Sequence, residues 1–432
     1  MKYSNLIKLS SIAFTLFCLC YNINARESKQ VVADTSDTLA IQQLLSGMTA
    51  AKKLKISGYV QAQYQKAESA GVESFAGGNF GTGIDNRFSV RRGRVKFVYD
   101  DLNAQAVLQI DITEKGVNFK DVYLKLTDPW FKMLALTGGV FVRPFGYETS
   151  YSSTLRESPE RSRIFQTLFP GERDLGTMLS IQAPQRFLCL DLGLFNGNGL
   201  GAETDKYKDF IGHLSAADII SSHGLNIGAG VSYYNGGFAA ATTNLYSMKK
   251  MDGVQTFQRK NVHVGDRMKR EYLGAEIQLC YHGSWGKTQL RTEYLTGTQP
   301  GFSNSSSNQS AAASGDAYAR KFSGYYAYFI QDIFKTPLQA VVKYDVYDPN
   351  TMVRGNNIGK AVTGGMATGV ADIKYATLGV GMNYQWNKNV RLMAYYDMVT
   401  NETSTSLGTS TPQNYSQDVK DNVFTFRLQY KF

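Results

Sequence analysis

Cysteine and histidine are scarce in this chain, with four of each among 432 residues. Cys18 and Cys20 fall in the first 25 residues, so Cys189 and Cys280 alone remain beyond them, too few for a disulfide scaffold. His213, His223, His263 and His282 are scattered, and no Cys or His cluster has metal-ligand spacing, so neither a metal nor another cofactor is expected. Charge is sparse too, at 19% of residues, and the mean hydropathy of -0.27 is too polar for a bundle of membrane helices. With 43% hydrophobic residues the chain is equally unlike a disordered one. Aromatics are plentiful, with 27 Tyr and 24 Phe, and two soluble domains or one large barrel remain. The net charge of +10 favours small anionic partners, with no sign of a nucleic-acid site.

Lys2 and Lys8 precede an apolar stretch from Leu9 to Tyr21, which predicts a cleaved signal peptide over residues 1–25. Residues 26–53 read as a polar periplasmic linker with one short helical stripe, Ile41, Leu44, Leu45 and Met48. From Leu54 the period changes to two: Ile56, Gly58, Val60 and Ala62 alternate with Ser57, Tyr59, Gln61 and Gln63. The alternation recurs in sixteen segments: 54–65, 87–99, 102–112, 118–127, 132–143, 174–183, 186–196, 207–218, 223–235, 270–282, 285–297, 320–332, 336–348, 371–386, 389–400 and 420–432. The expected fold is all-β, a transmembrane antiparallel β-barrel of about 16 strands over residues 54–432 in a bacterial outer membrane.

Connections are expected to alternate long and short, with long loops at 66–86, 144–173 and 236–269 and tight turns at Asp100-Asp101, Ala183-Pro184-Gln185 and Gly283-Ser284. All nine prolines then fall in connections or at strand starts, and Trp130, Trp285 and Trp386 all flank short turns. The last strand sets Phe424, Phe426, Leu428, Tyr430 and Phe432 on one face and Thr425, Arg427, Gln429 and Lys431 on the other, like the assembly signal of outer-membrane barrels.

If Gly93, Val95, Phe97 and Tyr99 face lipid, Arg92, Arg94 and Lys96 face the lumen at intervals of about 6.8 Å. The opposite facing would cost about 2 to 4 kcal/mol per charge near the midplane. Lys125 and Arg143 are further candidates for a pore-lining, anion-binding set; pairing with inward carboxylates such as Asp111 and Asp121 is the alternative. The third external loop is expected to fold into the barrel, and Arg156, Arg161, Arg163 and Arg173 are its candidate constriction residues. Together with Arg143 they balance Glu148, Glu157, Glu160, Glu172 and Asp174, which suggests ion pairs that stiffen the loop. No Ser, His and acid set shares a local signature, so no catalytic residue is assigned and an enzyme is not expected.

The run RRGRVKF, with Pro144-Phe145, Glu160-Arg161-Ser162, Phe169-Pro170 and Arg173-Asp174-Leu175-Gly176, resembles the phosphate-selective porin O and P family in its Bacteroidetes-like form. The resemblance implies a sixteen-strand homotrimeric channel passing phosphate or polyphosphate along lumen arginines, here Arg91, Arg92 and Arg94, with Arg161, Arg163 and Arg173 on the folded-in loop. The inward face of the first strand, Ser57 to Gln65, departs from the pattern in having no arginine. The leading expectation is a passive, anion-preferring channel set in lipid and lipopolysaccharide. A general or carbohydrate porin walled by Tyr59, Gln61, Gln63, Gln105 and Gln109 is an alternative, and an adhesin or structural barrel is another.

Overall fold

The computed structural model describes residues 53–432 apart from Arg186, His223, 309–314 and 409–412. The expected leader, the linker helix and Pro412 lie outside the described residues.

Eighteen strands follow in order: β1 (Leu54–Ala67), β2 (Asn86–Asp101), β3 (Ala104–Thr113), β4 (Gly116–Thr127), β5 (Leu134–Val142), β6 (Arg173–Gln182), β7 (Leu188–Phe195), β8 (Asp209–Ser222), β9 (Leu225–Ala239), β10 (Asn244–Met251), β11 (Val254–Asn261), β12 (Arg267–Gly283), β13 (Gly286–Gly301), β14 (Ala317–Asp332), β15 (Leu338–Asp348), β16 (Tyr375–Gln385), β17 (Val390–Asn401) and β18 (Val423–Lys431). Two short helices, α1 (Tyr147–Ser150) and α2 (Arg163–Leu168), lie between β5 and β6. β9 pairs with β12 and β18 pairs with β1, so β1 to β9 and β12 to β18 close into a sixteen-strand antiparallel barrel. Closure leaves no unpaired strand edge, the condition a sheet must meet in lipid.

The facing follows the alternation. On β1, Tyr59, Gln61, Gln63 and Gln65 are buried inside while Ile56 and Val60 are exposed outside; on β18, Thr425, Arg427 and Gln429 are buried while Phe424, Phe426, Leu428 and Tyr430 point outward. Trp130, Trp285 and Trp386 all lie exposed at the short-turn end. Cys189 on β7 and Cys280 on β12 are free thiols.

Four expectations need correction. The first short turn is at Leu102-Asn103, because Asp100 and Asp101 remain in β2 and hold Lys55 and Lys53. The β3–β4 connection is short although it lies on the long-loop side; its Glu114 accepts the Val90 N–H and ties the turn to β2. β13 runs past Pro300, which sits opposite Ala319 near the strand's outer end. The 236–269 loop contains the β10–β11 hairpin, which leans on β14 through Leu245, Tyr246 and Ser247.

Part of the interior is filled by apolar side chains. Phe145, Ile164, Phe165, Leu168 and Phe169, from the segment between β5 and β6, pack against Phe195, Ile211, Tyr234, Tyr272, Phe322, Tyr326 and Tyr328 of the wall. The Tyr234 and Tyr272 rings stack 4.8 Å apart, and Phe169 meets both edge-on. Burying each such ring stabilises the packed segment by about 1.5 to 3 kcal/mol, which fixes it to the β8–β14 side.

Candidate functional site

The 143–172 connection presents its polar residues to inward side chains of several strands. Ser153 Oγ lies 2.5 Å from Tyr59 Oη of β1, and its carbonyl accepts from Gln61. Glu157 accepts both terminal nitrogens of Arg291 on β13, at 3.0 and 2.8 Å, and its carbonyl accepts from Asn383 on β16. Pro159 O accepts from Arg427 on β18 at 2.7 Å. Glu157 and Glu160 thus pair with wall arginines, while Glu172 pairs with Arg161 of the same connection and with Arg173, the within-loop stiffening that charge balance suggested.

Glu160 is the most heavily engaged of these acids, contacting Arg91, Arg92 and Arg427. Strict alternation would point Arg91 at lipid. The register between β1 and β2 shifts from Gln61↔Arg92 to Ala62↔Val90, leaving Arg91 in a β-bulge that turns it toward the loop. Glu160 belongs to the connection, outside the spanning strands. Burial alone would raise its carboxyl, but the Arg91, Arg92 and Arg427 guanidinium groups outweigh burial and hold it well below the usual carboxylate range. Glu172 behaves likewise: burial opposes ionisation, and Arg161 and Arg173 prevail.

The arginines expected in the lining are almost all engaged. Arg92 donates to Glu160 at 2.7 Å and to Gln61 at 3.0 Å; Arg94 pairs with Asp111 at 3.0 Å. Arg143 is buried with its guanidinium 5.1 Å from the Phe169 ring, beneath the connection. Arg161 donates to the Glu148 and Thr149 carbonyls and pairs with Glu172, while Arg173 bridges Asp121 at 2.8 Å and Glu172 at 2.7 Å. Arg163 is sandwiched between Phe75 at 4.3 Å and Tyr375 at 3.7 Å. Arg156 is buried with no hydrogen-bond partner among the described residues for any of its three guanidinium nitrogens.

The lysines are different. Lys96 on β2 and Lys125 on β4 border a cavity of about 550 Å³ on the β1–β6 side, together with Arg94, Arg161, Arg173 and Lys431. Asp121 is the one acidic side chain in that lining. Among the described residues neither Lys96 nor Lys125 has an ion-pair partner, so their charge is open to the cavity. Lys120, which the alternation placed outside, lies among Arg94, Asp111, Glu172 and Arg173. It does so because Lys120 and Asp121 together oppose Gln109 in a second bulge. A bulge leaves no mark in residue type, so alternation misses both inward cations, Arg91 and Lys120; the family resemblance had pointed to Arg91, and only pairing reveals Lys120.

Two cavities flank this one. A small one of about 30 Å³ on the long-loop side is bordered by Glu73, Glu160, Arg161, Arg163, Asp345, Asp397 and Asp421. Another of about 400 Å³ at the short-turn end is bordered by Thr154, Glu157, Lys335, Asn383 and Arg391. Arg161 borders both the small and the 550 Å³ cavities, which puts it at the neck between them.

Solved structures with the same fold include an anion-selective porin from Comamonas acidovorans, 11% identical, covering 88% of this chain and 99% of that one at a TM-score of 0.50. The outer membrane channel DcaP of Acinetobacter baumannii is 12% identical, covering 88% and 97% at a TM-score of 0.52. At such identity they establish the fold alone. No curated protein matches the chain significantly. The model of the family described as phosphate-selective porin O and P matches residues 70–432. Closed barrel, inward cations and family match agree: the chain belongs to the phosphate-selective porin O and P family, channels of the bacterial outer membrane.

Proposed function

We propose that this porin passes small anions, phosphate-like ones in particular, by passive diffusion along the β1–β6 side of its lumen. One observation carries the reading: the 550 Å³ cavity is bordered by six basic side chains and one acidic one, and Lys96 and Lys125 are unpaired. A dianion entering that space meets ammonium groups that can replace part of its hydration at no cost in broken ion pairs. The connection between β5 and β6, held to the wall by its aromatic residues, narrows the path and sets its bore. The carbohydrate alternative has less support, since Gln61 and Gln63 are already bonded to Ser153, Gln429 and Arg427. We further propose a homotrimer bounded by lipid and lipopolysaccharide, as the family likeness implies; the native mass in detergent tests the stoichiometry.

The test is the zero-current potential of the purified protein in a planar bilayer under a KCl gradient, with and without millimolar phosphate. The expected result is an anion-selective sign with current reduced by phosphate, and weakening of both in a Lys96→Ala, Lys125→Ala variant. A cation-selective potential with no phosphate effect rejects the reading.

A further inference from the structure

We propose that Glu160 is a tethered counter-anion: it fills an oxyanion site built by Arg91, Arg92 and Arg427, and a permeating phosphate-like anion passes the neck by exchanging with it. The inference rests on the anion-channel reading and adds to it a competitor carried by the chain itself.

The geometry is that of a bound oxyanion. Glu160 Oε1 accepts from Arg91 Nε at 2.8 Å, Arg92 Nη1 at 3.3 Å and Arg427 Nη2 at 3.0 Å. Its Oε2 accepts from Arg91 Nη2 at 2.9 Å and Arg92 Nη2 at 2.7 Å. Arg91 thus grips the carboxylate with a two-pronged fork, and Arg92 does so more loosely. Such planar donors suit phosphate oxygens as well as carboxylate oxygens.

The charges do not balance. Three guanidinium groups face one carboxylate, leaving two positive charges that a dianion would neutralise more fully than Glu160 does. Arg91 joins the site only through its β-bulge, which turns it out of the strict alternation of β2. Glu160 itself borders the small outer cavity, next in sequence to Arg161, which borders both that cavity and the 550 Å³ one. The competitor is also mounted on a connection rather than a strand, so it can withdraw without unpairing the sheet.

Removal of the competing charge is the test, read as phosphate block of KCl current through the full-length protein in planar bilayers. Glu160→Gln keeps the shape and is expected to lower the half-blocking phosphate concentration by about tenfold. Adding Arg92→Ala to Glu160→Gln is expected to abolish that gain. Should Glu160→Gln fail to assemble, Glu160→Asp, which retracts the carboxylate by one methylene, is expected to strengthen block by a smaller factor. Unchanged or weaker block in the assembled variants overturns the proposal. So does a several-fold larger, unselective conductance, which would make Glu160 only a loop anchor. If the wild-type channel is cation-selective and unblocked, the parent reading falls by itself; a block appearing only in Glu160→Gln would still uphold the occupied site.

Discussion

Arg94 on β2 and Asp111 on β3 stand opposite one another in the strand register and are joined by an ion pair of 3.0 Å. Asp111 also accepts the Gly93 N–H at 3.0 Å, so it is fixed beside Arg94 and cancels a charge that borders the 550 Å³ cavity. Asp111→Asn keeps the acceptor and frees the Arg94 charge. The expected outcome is a zero-current potential shifted further in the anion-selective sense, with conductance of the same order. An unchanged potential would mean that Arg94 has no influence on permeating ions.

Asp209 on β8 and Arg270 on β12 form a second pair, at 2.8 Å, with solvent fully excluded. Asp209 also accepts from the Gly237 N–H and from Tyr234 Oη. Asp209→Ala strands a buried guanidinium and is expected to cost about 3 to 5 kcal/mol. The exposed Lys66–Asp85 pair offers the contrast: Lys66→Ala should cost less than about 1 kcal/mol. Thermal loss of the β-sheet circular dichroism signal in detergent measures both.

Gly146 precedes α1 with φ near +67°, and a Cβ there would collide with the Glu293 carboxylate. Its N–H donates to Ser232 Oγ at 2.9 Å, so the backbone is fixed against the wall. Gly146→Ala should therefore add strain of about 1 to 2 kcal/mol and displace the segment that carries Arg156 to Arg163. Single-channel recordings are expected to show noisier current and more than one conductance level, with sheet content unchanged.

Asp421, in the connection between β17 and β18, borders the small outer cavity, and burial raises its carboxyl to about 6. The Arg163 charge opposes that rise, and Glu73, Asp345 and Asp397 border the same space. The raised carboxyl is charged above that pH and neutral below it. Lowering the pH from 8 to 5 should thus remove a negative charge from the outer mouth and strengthen anion preference. Asp421→Asn should show the acid-side potential already at pH 8 and a smaller change on acidification.

Period-two alternation carries all sixteen barrel strands, because each must show apolar residues to lipid and polar ones to the lumen. The β10–β11 hairpin has no such constraint outside the membrane, so its pattern is weak. Its Asp252-Gly253 turn, with both φ values positive, was the available signal. The inward cations Arg92, Arg94, Lys96 and Lys125 were legible from the same alternation. Arg91 was legible only through the family resemblance and Lys120 not at all, since a bulge reverses facing without changing composition. Nor could the sequence say which cations are spent in pairs: Arg94 meets Asp111 across adjacent strands, whereas Glu160 reaches Arg427 from 267 positions away.

Sixteen strands enclose far more cross-section than a phosphate-sized ion requires, and the cluster of Phe145, Phe165 and Phe169 with Tyr234, Tyr272 and Tyr326 takes up the surplus. On the proposed reading, molecular sieving by this connection is thereby separated from the assembly of the wall. Substitutions confined to a few aromatic residues of one connection would alter which bulky compounds, antibiotics included, cross the cell envelope. Permeability can in this way evolve quickly on a scaffold whose strands stay unchanged.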